Sequence, residues 1–255
     1  MGGRRIVTID GPSGGGKSTV SRALAARLGY TYLDTGAMYR AVAYKCRRER
    51  VDPLDETRLA VLLDSTHIEL LPPGKGEDDV RVLLDGQEVG AALRTREMGM
   101  LASRVSAQPL VRQRLTLLQQ RIGEAGAVVA EGRDTGTVVF PRAAWKFFLD
   151  ASAEVRARRR VAQLRSKGKC VDEQQLLAEI VQRDRDDRER TIAPLAAAQD
   201  AMRIDSTGLS AEGVVELMYA RIQASPCGCC PLSFSETAKK NPDAGQSQTP
   251  GRLSY

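Results

Sequence analysis

The stretch Arg5-Ile6-Val7-Thr8-Ile9-Asp10-Gly11-Pro12-Ser13-Gly14-Gly15-Gly16-Lys17-Ser18-Thr19 decides the fold of this chain. Residues 11–18 fit G-x-x-x-x-G-K-[ST], the pattern of a phosphate-binding loop, in which glycines let backbone N–H groups approach phosphate oxygens. In that pattern Lys17 supplies a cation and Ser18 can hold Mg²⁺. The apolar run before the loop predicts a strand, and the spacing of apolar residues after it predicts a helix whose N-terminus faces the anion. The alternative is a glycine-rich turn without a ligand.

The composition is that of an ordinary soluble protein with a positive net charge. The 255 residues include 38 Lys and Arg against 32 Asp and Glu, which gives a formal net charge of +6. This charge suits nucleic-acid binding as well as a cleft for several substrate phosphates, and the second is the commoner reason in a phosphate-loop protein. The sequence contains no apolar run that could span a bilayer and no signal-peptide pattern, which predicts a cytoplasmic protein.

Strand and helix patterns alternate along most of the chain. Predicted strands cover residues 6–10, 31–34, 127–131, 146–150 and 202–205, and a last helix covers 211–223. This alternation predicts an α/β fold, a doubly wound parallel five-stranded sheet with helices on both faces. Ligands of such sheets bind at the carboxyl ends of the strands, where Asp10, Asp34, Glu131 and Asp150 are expected to meet in one cleft.

Two regions depart from the alternation. Between Arg40 and Ser103 a helix at 56–64 is followed by two apolar runs, 67–71 and 80–84, which predict antiparallel strands in an insertion outside the main sheet. Residues 226–255 are rich in Pro, Gly, Ser, Gln and Lys, which predicts a disordered tail. In that tail Cys227, Cys229 and Cys230 lack a second cluster of ligands, so free thiols are favoured over a metal site.

Charged residues cluster at the predicted strand ends. Asp34-Thr35-Gly36 with Arg40 could hold a second phosphate or could simply cap a helix. Glu131 occupies the place where phosphate-loop proteins put an acid that holds Mg²⁺ through water. Arg133 and Asp134, which follow it, could enter the cleft or could pair with each other, and an exposed pair would contribute only about 0–1 kcal/mol. We favour the functional interpretation for both clusters.

Two arginine-rich helical segments leave alternatives open. In the run from Arg183 to Arg190, helical spacing places Arg183, Asp187 and Arg190 on one face, which suits a ligand site as well as a solvated helix with ion pairs. Arg156 and Arg160 share one side of another helix and could belong to a solvated face or to a flap over a triphosphate.

The ordered set of motifs resembles the bacterial cytidylate kinases. The set consists of the phosphate loop, Asp34-Thr35-Gly36-Ala37-Met38-Tyr39-Arg40, Gly132-Arg133-Asp134-x-Gly136-Thr137-Val138-Val139-Phe140-Pro141, and Arg183-Asp184-x-x-Asp187-x-x-Arg190-x-x-x-Pro194-Leu195. The resemblance extends from residue 4 to about residue 223. A phosphate loop alone is shared by many nucleotide hydrolases, whereas this ordered set is specific.

The resemblance implies a kinase domain at residues 1–225 that transfers the γ-phosphate of ATP to CMP or dCMP with Mg²⁺. It also implies a nucleoside-monophosphate-binding insertion at about residues 36–103 and a short lid at about 153–171. The implied catalytic residues are Lys17, Arg40 and Arg133. The implied ATP-binding residues are Gly11, Pro12, Ser13, Gly14, Gly15, Gly16, Lys17, Ser18, Thr19, Arg156 and Arg160, and Ser18 and Glu131, the latter through water, are the implied metal-binding residues. The implied CMP-binding residues are Thr35, Arg40 and Arg133 around the phosphate, Ser103, Arg112, Asp134 and Arg190 around cytosine, Arg183 and Asp187 at the ribose, and Tyr39, for which no part of the nucleotide is implied.

One position departs from the pattern, because some family members carry Asp where this chain has Glu131, which adds a methylene to the reach toward Mg²⁺.

The expected partners are ATP and CMP or dCMP, without nucleic acid or membrane, and the chain is expected to be a monomer. Another small-molecule kinase of this fold, such as an adenylate or shikimate kinase, is a rival. The short interval from Arg160 to Asp172 argues against the large flap of adenylate kinases. A GTP-binding regulator is disfavoured because the chain lacks Asn-Lys-x-Asp.

Overall fold

A computed structural model of the chain describes residues 5–74, 79–166 and 168–224. In these ranges the strands are β1 (Ile6–Asp10), β2 (Thr31–Asp34), β3 (Ile68–Leu71), β4 (Arg81–Leu84), β5 (Gln87–Glu88), β6 (Val128–Gly132), β7 (Trp145–Asp150) and β8 (Met202–Asp205). The helices are α1 (Lys17–Leu28), α2 (Thr35–Arg48), α3 (Glu56–Asp64), α4 (Arg96–Ser106), α5 (Pro109–Glu124), α6 (Ala153–Arg165), α7 (Glu173–Glu189) and α8 (Ala211–Ala224). A 3₁₀ turn, Ala92–Arg94, precedes α4, and a π-helical turn, Thr135–Val139, follows β6.

Five parallel strands form the main sheet, in the order β2-β6-β1-β7-β8. The predicted doubly wound sheet is therefore confirmed, with small shifts at two strand ends. The strand expected at 127–131 begins one residue later, because Ala127 has a positive φ of 54°, a left-handed conformation that a strand cannot contain. The strand expected at 146–150 begins one residue earlier, at Trp145.

Both faces of the main sheet are buried under helices. Successive residues of β1 point to opposite faces, so Ile6 packs in one apolar cluster and Val7 and Ile9 pack in the other. Side chains of α1 and α8, including Leu24 and Met218, cover the second face, and those of α2 and α5 cover the first. This burial on both sides explains why the strands read as nearly continuous apolar runs.

The predicted insertion contains its own small sheet. Strands β3 and β4 pair in antiparallel fashion, as expected, and the short β5 adds a third strand to them. The helix expected at 56–64 is α3. The lid range, 153–171, takes in α6, and the bounds of both segments stay predictions. The tail 226–255, with its three cysteines, lies outside the described residues, and none of the described helices is long and apolar enough to cross a bilayer.

Candidate active site

The phosphate loop between β1 and α1 lies tightly against the neighbouring strand β7. Gly11 has a φ of 151°, and a Cβ atom at this position would lie 1.9 Å from the carbonyl oxygen of Leu149. Gly14, at the far side of the loop, also has a positive φ, 77°. A side chain at Gly11 would displace the loop from the sheet, so glycine at this position allows the loop to lie against β7.

Lys17 is a buried cation at the start of α1. Its Nζ donates a hydrogen bond to the carbonyl oxygen of Pro12 in the same loop, at 2.6 Å. Burial and the positive charge of Arg133 lower the pKa of Lys17 to about 7, although Glu131 opposes them. An anion at the loop would favour the charged form of this amine, which is the behaviour expected of a phosphate ligand.

Ser18 and Glu131, the predicted metal-binding pair, meet in the fold. The Ser18 hydroxyl donates a hydrogen bond to Oε1 of Glu131 at 2.8 Å. The other carboxylate oxygen, Oε2, is buried and has no hydrogen-bond partner among the described residues. Burial and the nearby Asp34 raise the pKa of Glu131. A buried carboxylate oxygen without a partner, next to a hydroxyl, suits Mg²⁺, which favours oxygen ligands and usually takes few from the protein. Over the described ranges, no group of three or more His, Cys, Asp and Glu could hold a metal ion.

Five cations gather between the loop and the neighbouring strand ends: Lys17, Arg40, Arg133, Arg160 and Arg183, called here the cationic cluster. Burial and the charges of Arg133 and Arg40 lower the pKa of Arg183 to about 10, although Asp187 opposes them. Burial and Arg40 lower the pKa of Arg160. Since these groups destabilise one another's charge, an anion with several negative charges bound among them would relieve this repulsion.

Two ion pairs orient members of the cationic cluster. Arg40 donates to Oδ2 of Asp34 at 2.9 Å, while Oδ1 of Asp34 accepts from the backbone N–H of Ala37 at 2.9 Å. Asp34 is thus the N-cap of α2, as one of the two interpretations of this motif expects, and it is also the partner of Arg40. Binding of a second phosphate by this motif stays a prediction. Arg133 donates to Oδ2 of Asp187 at 2.9 Å, and the alternative of a pair between Arg133 and Asp134 is wrong.

The predicted cytosine-binding residues form a second, charge-paired group. Arg112 and Asp134 are both buried and form an ion pair, and Arg190 lies 4.0 Å from the other oxygen of Asp134. Arg112 also donates to the carbonyl oxygen of Ser106 at 3.1 Å and lies over the ring of Tyr39, 5.6 Å from its centroid. Burial and the charge of Arg112 lower the pKa of Arg190.

Two serines of α4 lie beside this charge-paired group. The Ser106 hydroxyl accepts from Arg190 at 3.4 Å and donates to the carbonyl oxygen of Ser103 at 2.8 Å. Ser103, the serine singled out in the sequence, is only partly buried. Ser106 was missed, although it follows one helical turn later and therefore shares the face of Ser103.

Helix α7 buries one face against the site along its last turns, whereas Arg185 and Asp186 on its other face are exposed. Asp184 and Asp187 are only 3% and 4% exposed, so the alternative of a solvated helix is wrong for these two residues. Burial raises the pKa of Asp187, but Arg133 and Arg183 outweigh that effect and hold it below its usual range. Arg183 and Asp187 lie one turn apart on α7, as predicted, whereas Arg190 follows the end of the helix in an extended conformation and lies 3.8 Å from Oδ1 of Asp187.

Asp10, the last residue of β1, connects the start of the phosphate loop to the turn at Thr135 and Gly136. Its carboxylate accepts from the backbone N–H and hydroxyl of Thr135, at 2.9 and 2.8 Å, and from the N–H of Gly136 at 2.7 Å. Burial raises the pKa of Asp10 to about 6. These bonds fix the turn that follows Arg133 and Asp134. Thr35 makes a similar link, because its hydroxyl donates to the carbonyl oxygen of Glu131 at 2.7 Å.

Arg156, a predicted ATP-binding residue, directs its guanidinium group into hydrogen bonds with other residues of the protein. It donates to the carbonyl oxygen of Ser13 in the phosphate loop and to Asp184 of α7, at 3.0 and 2.5 Å. A cavity of about 540 Å³ opens beside it at the ends of β7 and β8, lined by Asp150, Arg156, Val181, Arg188, Asp205 and Thr207 among others. Direct binding of ATP by Arg156 stays a prediction, as do the ligand roles of the other site residues.

Comparison with known proteins places the chain in a family. The family model described as cytidylate kinase matches residues 7–224. The chain is 47% identical over 218 residues to a cytidylate kinase of Citrifermentans bemidjiense, covering 86% of this chain and 92% of that protein. It is 49% identical, with the same coverage, to one from Geobacter sp. strain M21. It is 45% identical to one from Pasteurella multocida, over 88% and 97% of the two chains. The chain therefore belongs to the cytidylate kinase family.

Proposed function

We infer that this protein transfers the γ-phosphate of ATP to CMP or dCMP, producing ADP and CDP or dCDP. The observation that carries the proposal is the charge-paired group of Arg112, Asp134 and Arg190 next to the cationic cluster. Cytosine presents an amino donor at N4, which suits a carboxylate, and acceptors at N3 and O2, which suit guanidinium groups. A cytidine monophosphate could therefore place its base at Asp134 and its phosphate at Arg40 and Arg133.

The proposed reaction needs no general base, because the attacking group is already a phosphate anion. Catalysis then consists of in-line positioning and charge neutralisation. Lys17 and the loop backbone would hold the donor phosphates, Thr35, Arg40 and Arg133 the acceptor phosphate, and Arg160 would neutralise charge between them. Arg183 and Asp187 would contact the ribose. Mg²⁺ bound with ATP, held by Ser18 and through water by Glu131, supplies further neutralisation of the phosphate oxygens.

The cavity beside Arg156, whose guanidinium donates to the carbonyl oxygen of Ser13 in the phosphate loop, supports the donor half of the proposal. Its volume of about 540 Å³ falls within the range of small-molecule sites, and it opens next to Ser152 and Arg156 at the ends of β7 and β8. ATP could thus enter from the β8 side of the sheet and CMP from the β2 side. We further propose that the protein is cytoplasmic and monomeric, and that it does not bind nucleic acid.

A comparison of acceptors tests the proposed function. Purified protein is given ATP and Mg²⁺ with CMP, dCMP, UMP, AMP or shikimate, and ADP release is followed in a coupled assay. We expect CMP and dCMP to be the best acceptors by kcat/KM. AMP or shikimate turned over as well as CMP would contradict the assignment and would favour a different kinase of this fold.

A further inference from the structure

Arg156 connects three separate parts of the protein through one guanidinium group. Its Nε donates to the carbonyl oxygen of Ala151 at 2.8 Å, its Nη1 to that of Ser13 at 3.0 Å, and its Nη2 to Oδ2 of Asp184 at 2.5 Å. The side chains of Arg156 and Asp184 are only 4% and 5% exposed. The planar guanidinium spreads these three contacts in fixed directions, which a flexible ammonium could not reproduce.

The contact with Ser13 sets the direction of a backbone N–H in the phosphate loop. In a trans peptide the carbonyl of one residue and the N–H of the next point in opposite directions. Because Arg156 holds the Ser13 carbonyl on its own side, the N–H of Gly14 must point away from Arg156. Gly14 itself packs against α6, since a Cβ atom there would lie 3.3 Å from the Cβ of Arg156. The orientation of one loop donor therefore depends on this arginine.

Asp184 is placed to orient the guanidinium, and Arg156 is its side-chain hydrogen-bond partner among the described residues. Its Oδ2 accepts from Arg156, and its Oδ1 is buried without a hydrogen-bond partner among the described residues. Asp184 adjoins Arg183, which belongs to the cationic cluster, and lies one turn before Asp187, which pairs with Arg133. Helix α7 is thus linked to the phosphate loop indirectly, through Asp184 and Arg156, and contacts Arg133 directly through Asp187.

We propose that Arg156 and Asp184 are positioning residues for the phosphate loop: Asp184 orients Arg156, and Arg156 orients the Ser13–Gly14 peptide toward the donor phosphates. The inference rests on the proposed function only for the identity of the donor as ATP. It differs from a role of Arg156 as a direct phosphate ligand, because in that role the pair with Asp184 would compete with the nucleotide.

Binding titrations of four variants test the proposal. Calorimetry measures the affinity of Arg156→Met, Asp184→Asn, the double variant and the exposed control Arg158→Met for adenylyl imidodiphosphate with Mg²⁺ and, separately, for CMP. We expect Arg156→Met and Asp184→Asn each to weaken binding of the ATP analogue about tenfold, the effect of losing one well-aligned charge-assisted hydrogen bond. The double variant should be no weaker than the worse single variant, because both changes interrupt one chain of contacts. Affinity for CMP should stay within about twofold, and Arg158→Met should match the unchanged protein.

Several results would overturn the proposal. Unchanged or tighter analogue binding by Asp184→Asn would show that Arg156 binds the phosphates directly once released. Additive losses in the double variant, or equal losses for the analogue and CMP, would show independent or merely structural roles. If circular dichroism shows that Arg156→Met does not fold, Arg156→Lys, which keeps the buried charge next to Asp184, takes its place with the same expectations. Failure of the unchanged protein to bind CMP would contradict the proposed function and leave the analogue comparison valid.

Discussion

The proposed donor and acceptor halves of this site are built by different means. The donor half is one continuous loop, residues 11–19, in which backbone N–H groups and two side chains lie next to one another in the sequence. The acceptor half is assembled from side chains of α2, α5, α7 and the end of β6, and ion pairs with other site residues hold many of them in place. A loop motif can therefore be recognised locally, whereas an acceptor site of this kind exists only after folding.

The cationic cluster and the charge-paired group also differ in their charge balance. In the cationic cluster, positive groups lower one another's pKa, so an added phosphate relieves repulsion. Around Arg112 and Asp134 the charges are already paired, so a base must share or exchange these contacts. We therefore expect the cluster to contribute mainly to affinity and rate, and the charge-paired group to contribute mainly to the choice of base.

The largest effect is expected from Lys17→Ala, which removes the buried cation of the donor loop. Catalytic cations aimed at a transferred phosphoryl group contribute about 10³–10⁵-fold in related systems, so turnover should fall below detection in the coupled assay. The protein should remain folded by circular dichroism, because the Lys17 side chain makes one hydrogen bond to the described residues, to Pro12, and its burial is unfavourable to its charge. Near-normal turnover of this variant would contradict the donor role of the loop.

The next largest effect is expected from Asp187→Asn, which breaks the buried pair with Arg133. Loss of one partner of a buried, hydrogen-bonded charge pair costs about 2–5 kcal/mol, so kcat/KM for CMP should fall about 30-fold or more. Asp186→Asn is the matched control, since Asp186 is exposed and its carboxylate accepts a hydrogen bond from the side chain of Gln182 in α7. Equal behaviour of the two variants in steady-state kinetics would show that the acceptor half does not depend on this pair.

A smaller effect on rate and a clear effect on specificity are expected from Asp134→Asn. The amide can no longer act only as an acceptor toward the N4 amino group of cytosine. We expect the preference for CMP over UMP, measured as the ratio of kcat/KM values, to fall about tenfold, within the range of about 1–3 kcal/mol for one base contact. An unchanged ratio with a lower rate for both nucleotides would assign Asp134 to the folding of the site instead.

The smallest predicted signal is a proton taken up by Lys17. Its pKa of about 7 leaves the amine mostly neutral at pH 8, and phosphate anions raise that pKa. ATP binding at pH 8 should therefore take up most of one proton, and at pH 6, where the ammonium is already formed, this contribution should vanish. Calorimetry in buffers of different ionisation enthalpy measures the uptake. Lys17→Met should abolish it, and uptake that persists in this variant would assign the proton to another group.

The sequence predicted the sheet, the insertion with its antiparallel strands and the positions of the charged strand ends. It did this because apolar periodicity and the phosphate-loop pattern are local signals. The pairing of charges was not predictable in the same way. Arg133 and Asp134 are neighbours in sequence, yet successive residues at a strand end point in different directions, so each pairs with a distant helix.

The roles of Asp10, Ser106 and Asp184 were missed for a related reason. Their partners are backbone groups or residues far away in sequence, as in the bonds from Asp10 to Thr135 and Gly136. Asp184 stands in a run of alternating charges that equally fits a solvated helix, and only its 3% exposure shows that it is buried. The sequence gives only a local hint of such roles. Asp10 comes just before the glycine-rich loop, and Ser106 and Asp184 each lie one helical turn from a predicted ligand.

The central claim is that the donor loop and the acceptor group form one cleft that holds two nucleotides end to end. Calorimetry with a dinucleotide in which adenosine and cytidine are joined through five phosphates tests this arrangement, because it measures both the affinity and the number of molecules bound per chain. We expect one molecule to bind per chain, at least about a hundredfold tighter than either ATP or CMP because linking makes the second contact intramolecular, and to displace both nucleotides. Two molecules bound per chain, or an affinity no better than that of ATP alone, would contradict a shared cleft.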